Sequence, residues 1–184
     1  MFRNTLLILL ILFFSGCTGS SGYYILSNAS EPVEHFSSQQ NSIGVEKITV
    51  PEYLFKREIA VAASSHRIIF FSNAEWGEDL DDGLTRRLIS YLQKSFQQPR
   101  IYAYPWGMSR QPVLKIKVNI TRFIAQNNRV YLDADWIIEN MRTGVKRTKL
   151  FSTSVMTKKD PESIVASMDD AFRELEASIV QALR

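Results

Sequence analysis

The sequence has little of the chemistry from which catalytic and metal sites are built. Cys17 is its only cysteine, so no disulfide can form within the chain, and the cysteine spacings of zinc sites are absent. Its two histidines, His35 in a polar loop and His66 in a predicted turn, are too few for most acid–base or zinc sites. No glycine-rich phosphate loop, nucleophile elbow or HExxH motif occurs. We therefore predict that the protein is not an enzyme and holds no cofactor and no metal.

The chain also lacks a strong excess of charge of either sign. Lys and Arg number 22 against 19 Asp and Glu, which gives a net charge of +3. Nucleic-acid-binding domains concentrate far more positive charge than this. We predict that nucleic acid is not a partner.

No apolar run in the sequence is long enough to cross a bilayer, which takes about 20 residues. The N-terminal apolar run, residues 6–14, follows Arg3. Two small residues, Ser15 and Gly16, come next and lead directly into Cys17. A positive start, a short apolar stretch and small residues beside the cleavage point are the three parts of a secretory signal peptide. A cysteine directly after them carries the thiol that is alkylated in bacterial lipoproteins.

We therefore predict that residues 1–16 are a cleaved signal peptide and that Cys17 is the acylated first residue of the mature protein. Residues 17–22 would form a polar tether, and residues 23–184 a single periplasmic domain. Aspartate directly after the cysteine favours retention in the inner membrane. Because Thr18 stands there, we expect acyl chains in the outer membrane and a domain that faces the periplasm. The alternative is an ordinary signal peptide, or an N-terminal membrane helix, that ends near a cysteine.

Short apolar runs bounded by turn residues predict most of the strands. Pro51 cannot donate to a ladder and should end one of them. Two of these runs surround Ser64-Ser65-His66, which predicts a hairpin. The predicted strands are residues 22–26, 43–50, 59–63, 67–71, 100–104 and 145–156.

A long antiparallel pair is predicted from strict alternation in residues 114–121 and 130–139. A three-residue loop, residues 126–128, would place Ile120 opposite Ala134 and Lys115 opposite Glu139. A two-residue loop would put apolar and polar side chains on conflicting faces. We therefore predict the three-residue loop.

Two stretches have the three- and four-residue spacing of amphipathic helices. Asn73 is the predicted cap of the first, with Glu75 in its first turn, and Asp160-Pro161 begins the second. The prediction is an α/β fold, with a mixed, mostly antiparallel sheet of about six or seven strands and two long helices. The apolar positions are Leu80, Leu84, Leu88, Tyr91, Leu92 and Phe96 in the first helix, and Ile164, Met168, Ala171, Phe172, Leu175, Ile179, Ala182 and Leu183 in the second.

Three groups of charged residues are candidate binding sites. The acidic cluster at residues 79–82 is typical of a solvated helix face, and Asp133 with Asp135 is typical of surface polar pairs. The basic group around one turn suits either an anionic partner or a charged edge that discourages strand aggregation, and we favour the edge. That basic group is Arg142, Lys146, Arg147 and Lys149.

The order of several motifs resembles the ABC-type transport auxiliary lipoprotein family over nearly the whole mature chain. The long pair of strands comes last in this order. Two positions depart from the family pattern, the first being Phe55-Lys56, where Asp-Arg is usual. Glu75 likewise stands where Arg commonly precedes the tryptophan. The matching motifs are Ile43-Gly44-Val45 with Val50-Pro51 and Tyr53-Leu54, then Trp76 with Leu80, then Tyr104-Pro105-Trp106.

The resemblance implies a non-catalytic component of lipid transport across the periplasm by a system of the MCE (mammalian cell entry) type. It implies an MCE protein and an inner-membrane ABC permease with its ATPase as partners, and a fold like the anticodon-binding-domain group. Formation of a homo-oligomer is compatible with it. The alternative function is a lipoprotein that assists the assembly or regulation of another envelope complex.

The segment after Pro51 is the candidate partner-binding site. Tyr53, Leu54 and Phe55 cannot all point into one core from an extended loop, so at least one should be exposed, close to Arg57. Aromatic and arginine side chains are enriched in interface hot spots. The alternative is a loop in which Tyr53 and Leu54 are buried. Two further aromatic residues, Trp76 and Trp106, belong either to this interface or to the core.

Replacing the predicted lipidation site tests the anchor. We expect Cys17→Ser to give an unprocessed or membrane-released protein, because the acyl chains supply most of the membrane affinity. Mass spectrometry of the mature wild-type N-terminus should find an acylated Cys17. An unmodified N-terminus at another residue would refute the prediction.

Overall fold

One mixed β-sheet of eight strands carries the fold of the described part of the chain. The computed structural model describes residues 22–27, 31–32, 35, 41–107 and 111–184. The predicted signal peptide, Cys17 and nearly all of the tether lie outside these residues. The α/β prediction is confirmed, with eight strands where about six or seven were expected.

The elements follow the apolar runs and helical stripes of the sequence. The strands are β1 (Gly22–Tyr24), β2 (Ile43–Val45), β3 (Glu58–Ser64), β4 (Arg67–Trp76), β5 (Ile101–Ala103), β6 (Leu114–Gln126), β7 (Arg129–Asn140) and β8 (Lys146–Met156). The helices are a 3₁₀ helix (Glu52–Phe55), α1 (Leu80–Phe96) and α2 (Pro161–Leu183).

Strand β6 is the centre of the sheet. On one edge it pairs antiparallel with β7, which pairs antiparallel with β8. On its other edge it pairs parallel first with β2 and then, where Val61 lies opposite Ala125, with β3. The hairpin β3–β4 continues the sheet, β1 adds to β4 in parallel, and β5 adds to β2. The long strand β8 is therefore an edge, and it carries most of the basic group predicted for an edge.

The turn between β6 and β7 corrects the predicted loop length. Asn127 and Asn128 form a two-residue turn, both with positive φ, and Gln126 pairs with Arg129. The extra residue lies instead in a β-bulge at Thr121. The predicted pairs of Ile120 with Ala134 and Lys115 with Glu139 are nevertheless present, because the bulge compensates for the shorter turn.

The start of α1 is also later than predicted. Asn73 and Glu75 lie in β4, which continues to Trp76, and Asp79 takes the cap position before Leu80. The reason is tertiary: Ala74 pairs with Gly22 of β1, which the local capping signal could not reveal.

Strand β2 is shorter than residues 43–50. Only Ile43–Val45 form a regular strand, with one further bridge between Thr49 and Asn119. The backbone N–H of Ile48 donates to the hydroxyl of Thr85 on α1 at 3.0 Å instead of to a neighbouring strand. This bond ties the segment to the helix and interrupts the ladder.

The core lies between the sheet and the two helices. Helix α2 packs on β6, β7 and β8, α1 packs on β5, and the helices contact each other. Every predicted apolar position of α1 is buried, as are those of α2 except the half-buried Ala182. The side chain of Asp160 caps α2 as predicted, accepting the N–H of Ser163 at 2.8 Å. No helix among the described residues is long and apolar enough to span a membrane.

A buried arginine joins the two helices. The guanidinium of Arg87 on α1 forms an ion pair with Asp169 and lies 3.3 Å from a carboxylate oxygen of Glu176, both on α2. Asp169 also accepts the backbone N–H of Ser27 at 3.0 Å. The cluster thus ties the segment after β1 and both helices together, with Arg87 and Glu176 buried and Asp169 at its partly exposed margin.

Glu176 should make stability depend on pH. Burial raises the pKa of this carboxyl from its usual 4.5 to about 7, against the opposing influence of Arg87. The protonated form therefore favours folding, so this contribution is complete below about pH 4.5 and is lost as the pH rises through about 7. At 1.36 kcal/mol per pKa unit, the loss in the free energy of unfolding is about 3 kcal/mol. We expect Glu176→Gln to match the wild type near pH 4 and to exceed its stability near pH 8, measured by urea unfolding.

The matched control is Asp170→Asn, which removes an exposed carboxylate of the same helix. This variant should keep the pH dependence of the wild type. An undiminished dependence in Glu176→Gln would show that the carboxyl does not titrate in this range.

Candidate partner-binding surface

The 3₁₀ helix decides which of the three large side chains after Pro51 reaches solvent. Leu54 points into the core, and Tyr53 is half-buried. The phenol oxygen of Tyr53 accepts the backbone N–H of Phe123 on β6 at 3.0 Å, and burial raises its pKa. Phe55 is 61% exposed. One turn of 3₁₀ helix therefore inserts two side chains and leaves the third on the surface.

Arg57 lies two residues further on and is also exposed. Its backbone carbonyl accepts the N–H of Trp76 at 2.6 Å, which holds it at the base of the β3–β4 hairpin. Its guanidinium lies 3.9 Å from the carboxylate of Glu75 and 3.5 Å from the carbonyl of Trp76. Phe55 and Arg57 together form an exposed site with one aromatic and one cationic side chain, which we call the hairpin-base site.

Two of the predicted partner-binding residues belong to the core. Leu54 and Trp76 are both nearly inaccessible to solvent. The indole N–H of Trp76 has no hydrogen-bond partner among the described residues. Since neither side chain reaches the surface, the candidate site narrows to Phe55 and Arg57, with Tyr53 behind them.

Trp106 is half-buried and lies apart from this segment. Its ring covers Gly44 of β2, where there is no room for a larger side chain. A Cβ atom at this position would lie 2.7 Å from both the indole of Trp106 and the ring of Pro112. Tyr104 meets the indole edge-to-face at 5.1 Å between ring centres. Trp106 thus packs on the sheet, and the exposed Tyr104 extends from it.

The acidic residues at the start of α1 are not a fully solvated face. Asp81 is buried, and Lys47 lies 2.8 Å from both Asp81 and Asp82. The two carboxylates raise the pKa of this lysine, Asp81 having the larger effect. A cation of the chain itself therefore occupies the acidic cluster. No group of three metal-ligating side chains occurs in the part of the chain that the structure describes.

The pairing of Lys47 with Asp81 was not predicted from the sequence. The two residues are far apart in the chain, and only the docking of the segment after β2 against α1 brings them together. A lysine placed between the buried residues Val45 and Ile48 is the one local sign that its side chain has a partner.

The other two polar groups have partners within the fold. Asp135 accepts an N–H of Asn119 at 2.8 Å, as predicted for a surface pair, whereas the bulge sets Asp133 opposite Arg122. In the basic group, Arg147 donates to the carbonyl of Ala182 at 2.7 Å. Lys149 and Lys146 likewise contact Ser178 and Glu139. These contacts within the fold support the edge interpretation over an anionic partner.

Comparison with known proteins agrees with this architecture. The profile of the family described as the ABC-type transport auxiliary lipoprotein component matches residues 24–180. The intermembrane transport lipoproteins PqiC of Escherichia coli K12 and Shigella flexneri are each 22% identical over 99% of this chain and 98% of their own. A solved structure from Xanthomonas campestris, XCC0632, has a TM-score of 0.74 at 12% identity, covering 86% of this chain and 92% of its own. A second solved structure reaches a TM-score of 0.73 at 18% identity, with 90% and 99% coverage. These two structures share the fold.

The packing of Trp106 on Gly44 predicts an effect of Gly44→Ala. The added methyl would meet two rings that cannot move aside easily, so we expect a loss of about 1–3 kcal/mol in the free energy of unfolding. Denaturant titration measures the effect. The variant Gly44→Ala/Trp106→Leu should recover part of the loss, because the smaller side chain frees space. Equal losses in the single and double variants would show that the indole does not cause the strain.

Proposed function

The chain belongs to the family of ABC-type transport auxiliary lipoprotein components, and from this premise we propose that it is a non-catalytic component of an MCE-type lipid transport system. In this role an MCE protein, an inner-membrane permease and an ATPase supply the transport machinery. The auxiliary lipoprotein supplies a membrane anchor and a protein-binding surface on the periplasmic side.

The observation that carries the proposal is the family match over residues 24–180, which spans the domain from β1 into α2. Relatives that align over 99% of the chain are named intermembrane transport lipoproteins. Because both matches extend over the domain, they concern the whole fold and not a local motif.

The surroundings of Glu176, a carboxyl group with a strongly raised pKa, support a non-catalytic role. Glu176, whose pKa burial raises to about 7, would be the natural candidate for a general acid or base. It is completely buried, however, and its oxygens face Arg87. A substrate could not reach it without separating the two helices, so its shifted pKa belongs to the packing of the fold.

The hairpin-base site, Phe55 and Arg57, is the proposed contact with the MCE protein or with a second copy of the chain. An exposed aromatic ring beside a guanidinium has the composition of an interface hot spot. Neither side chain fills a core position, so selection for stability alone gives no reason for this combination. The anchor in this proposal is the acylated Cys17, with Thr18 directing the protein to the outer membrane.

Replacing Phe55 and Arg57 with alanine tests the contact. We expect loss of co-purification with the MCE protein, or of self-association, from detergent-solubilised membranes. The melting temperature should change little, because both side chains are exposed and surface substitutions seldom change stability by more than about 0.5 kcal/mol.

A matched control replaces Arg142 and Val145, another exposed basic and apolar combination, with alanine. This variant should retain the partner. Melting several degrees lower in Phe55→Ala/Arg57→Ala, with the folded fraction still binding, would instead assign the segment to the core and refute the proposal.

A further inference from the structure

The β3–β4 hairpin is apolar to a degree unusual for a protruding element. Residues 59–74 contain no Asp, Glu or Lys, and Arg67 is their only full charge, in a chain in which 22% of residues are charged. On β4, Ile68 is 38%, Ile69 48% and Phe70 42% exposed. Because successive strand residues point to opposite faces, these three side chains give the hairpin two apolar faces.

The neighbours of the hairpin leave both faces accessible. On one side Ile69 and Phe71 line an open groove of about 620 Å³ whose charged residues are Lys158 and Lys159. On the other side Ile68 lines a groove whose charged residues are Arg67 and Arg122. All the formal charges that line the two grooves are therefore positive.

The direction of β1 brings the predicted lipid anchor towards the same place. Strand β1 runs parallel to β4 from Gly22, opposite Ala74, so the chain enters β1 from the side of the hairpin tip. Gly22 is the fifth residue after Cys17, so the two are at most about 18 Å apart. Ile69 also lies five residues from Ala74, about 17 Å along the strand. The acyl chains can thus enter a membrane at the level of the exposed apolar residues.

We propose that the tip of the β3–β4 hairpin, with Ile68, Ile69 and Phe70, inserts into the surface of the membrane that holds the acyl chains of Cys17, where anionic lipid headgroups contact Arg67, Lys158 and Lys159. The inference rests on the acylation of Cys17 in the proposed function. It makes the hairpin a second point of attachment, which orients the domain relative to the bilayer.

Physical chemistry favours lipid over a protein as the occupant. A flat protein surface covers one face of a hairpin, whereas a lipid phase contacts both faces at once. Positive side chains around an apolar element match the anionic surface of a membrane. Insertion is shallow, because the outer backbone edge of β4 near the tip has no partner strand among the described residues, and such groups are not tolerated in the hydrocarbon core.

A fluorescent label tests the proposal in the acylated full-length protein. Because acylation consumes the thiol of Cys17, Ile69→Cys supplies a unique site for an NBD label. Val145→Cys is the control, since Val145 is 61% exposed and lies at the opposite end of the sheet, in the turn between β7 and β8. Each protein is reconstituted in vesicles of three parts phosphatidylethanolamine and one part phosphatidylglycerol.

At position 69 we expect a blue-shifted emission, quenching by spin-labelled lipid, and loss of quenching by aqueous iodide. The label at position 145 should keep its aqueous emission and its iodide quenching. Equal exposure of the two labels to iodide would overturn the proposal. Protection of position 69 only at high protein density would also overturn it, in favour of a second copy of the chain.

The mass of the mature N-terminus separates this inference from the proposed anchor. A chain without acyl groups would refute the anchor, and the same two labels, placed in a Cys17→Ser background so that each site stays unique, would then report whether the hairpin binds vesicles by itself. If Phe55→Ala/Arg57→Ala loses the MCE partner while the label at position 69 gives an unchanged signal, the two functions lie at separate sites.

Discussion

The rest of the structure depends on β6 being hydrogen-bonded along both of its edges. One edge pairs with β7 throughout, while the other changes partner from β2 to β3. The bulge at Thr121 lies between these two stretches. Before it the buried residues include Val118 and Ile120, and after it Phe123 and Ala125, so the inward phase of the strand moves by one residue. Without that shift, one half of β6 would present its polar side chains to the helices.

The helices that cover this sheet are held together by charge as well as by apolar packing. Arg87 contacts Asp169 and Glu176 in a largely buried position, and removing water from such groups costs free energy that only close pairing offsets. A buried ion cluster therefore contributes little net stability, and its main effect is to favour one relative arrangement of the elements that it joins. Here it selects the relative position of α1 and α2 and connects them to Ser27, just after β1.

The periodic elements could be predicted because their apolar positions repeat within a single element. The start of α1 could not, because the local signal at Asn73 competes with the pairing of Ala74 to a strand some fifty residues earlier. The bulge at Thr121 left no sign apart from a conflict of faces, which a longer turn explained equally well. In the candidate site, the sequence indicated that one of three adjacent large residues had to be exposed. Only the 3₁₀ turn determines that Leu54 is buried and Phe55 is not.

The β3–β4 hairpin has different chemistry at its two ends, and in the proposed function this difference would connect anchoring to partner binding. Its base carries Phe55 and Arg57 on the segment that leads into β3, and its tip carries the uncharged apolar stretch of β4. Ser64 is the sixth residue after Glu58 along β3, a distance of about 20 Å. If the tip inserts into lipid as proposed, it would hold the base at about this distance from the bilayer. In the proposed function, a partner anchored in the opposite membrane would then meet the base first, while the tip and the acyl chains would hold the domain in one orientation.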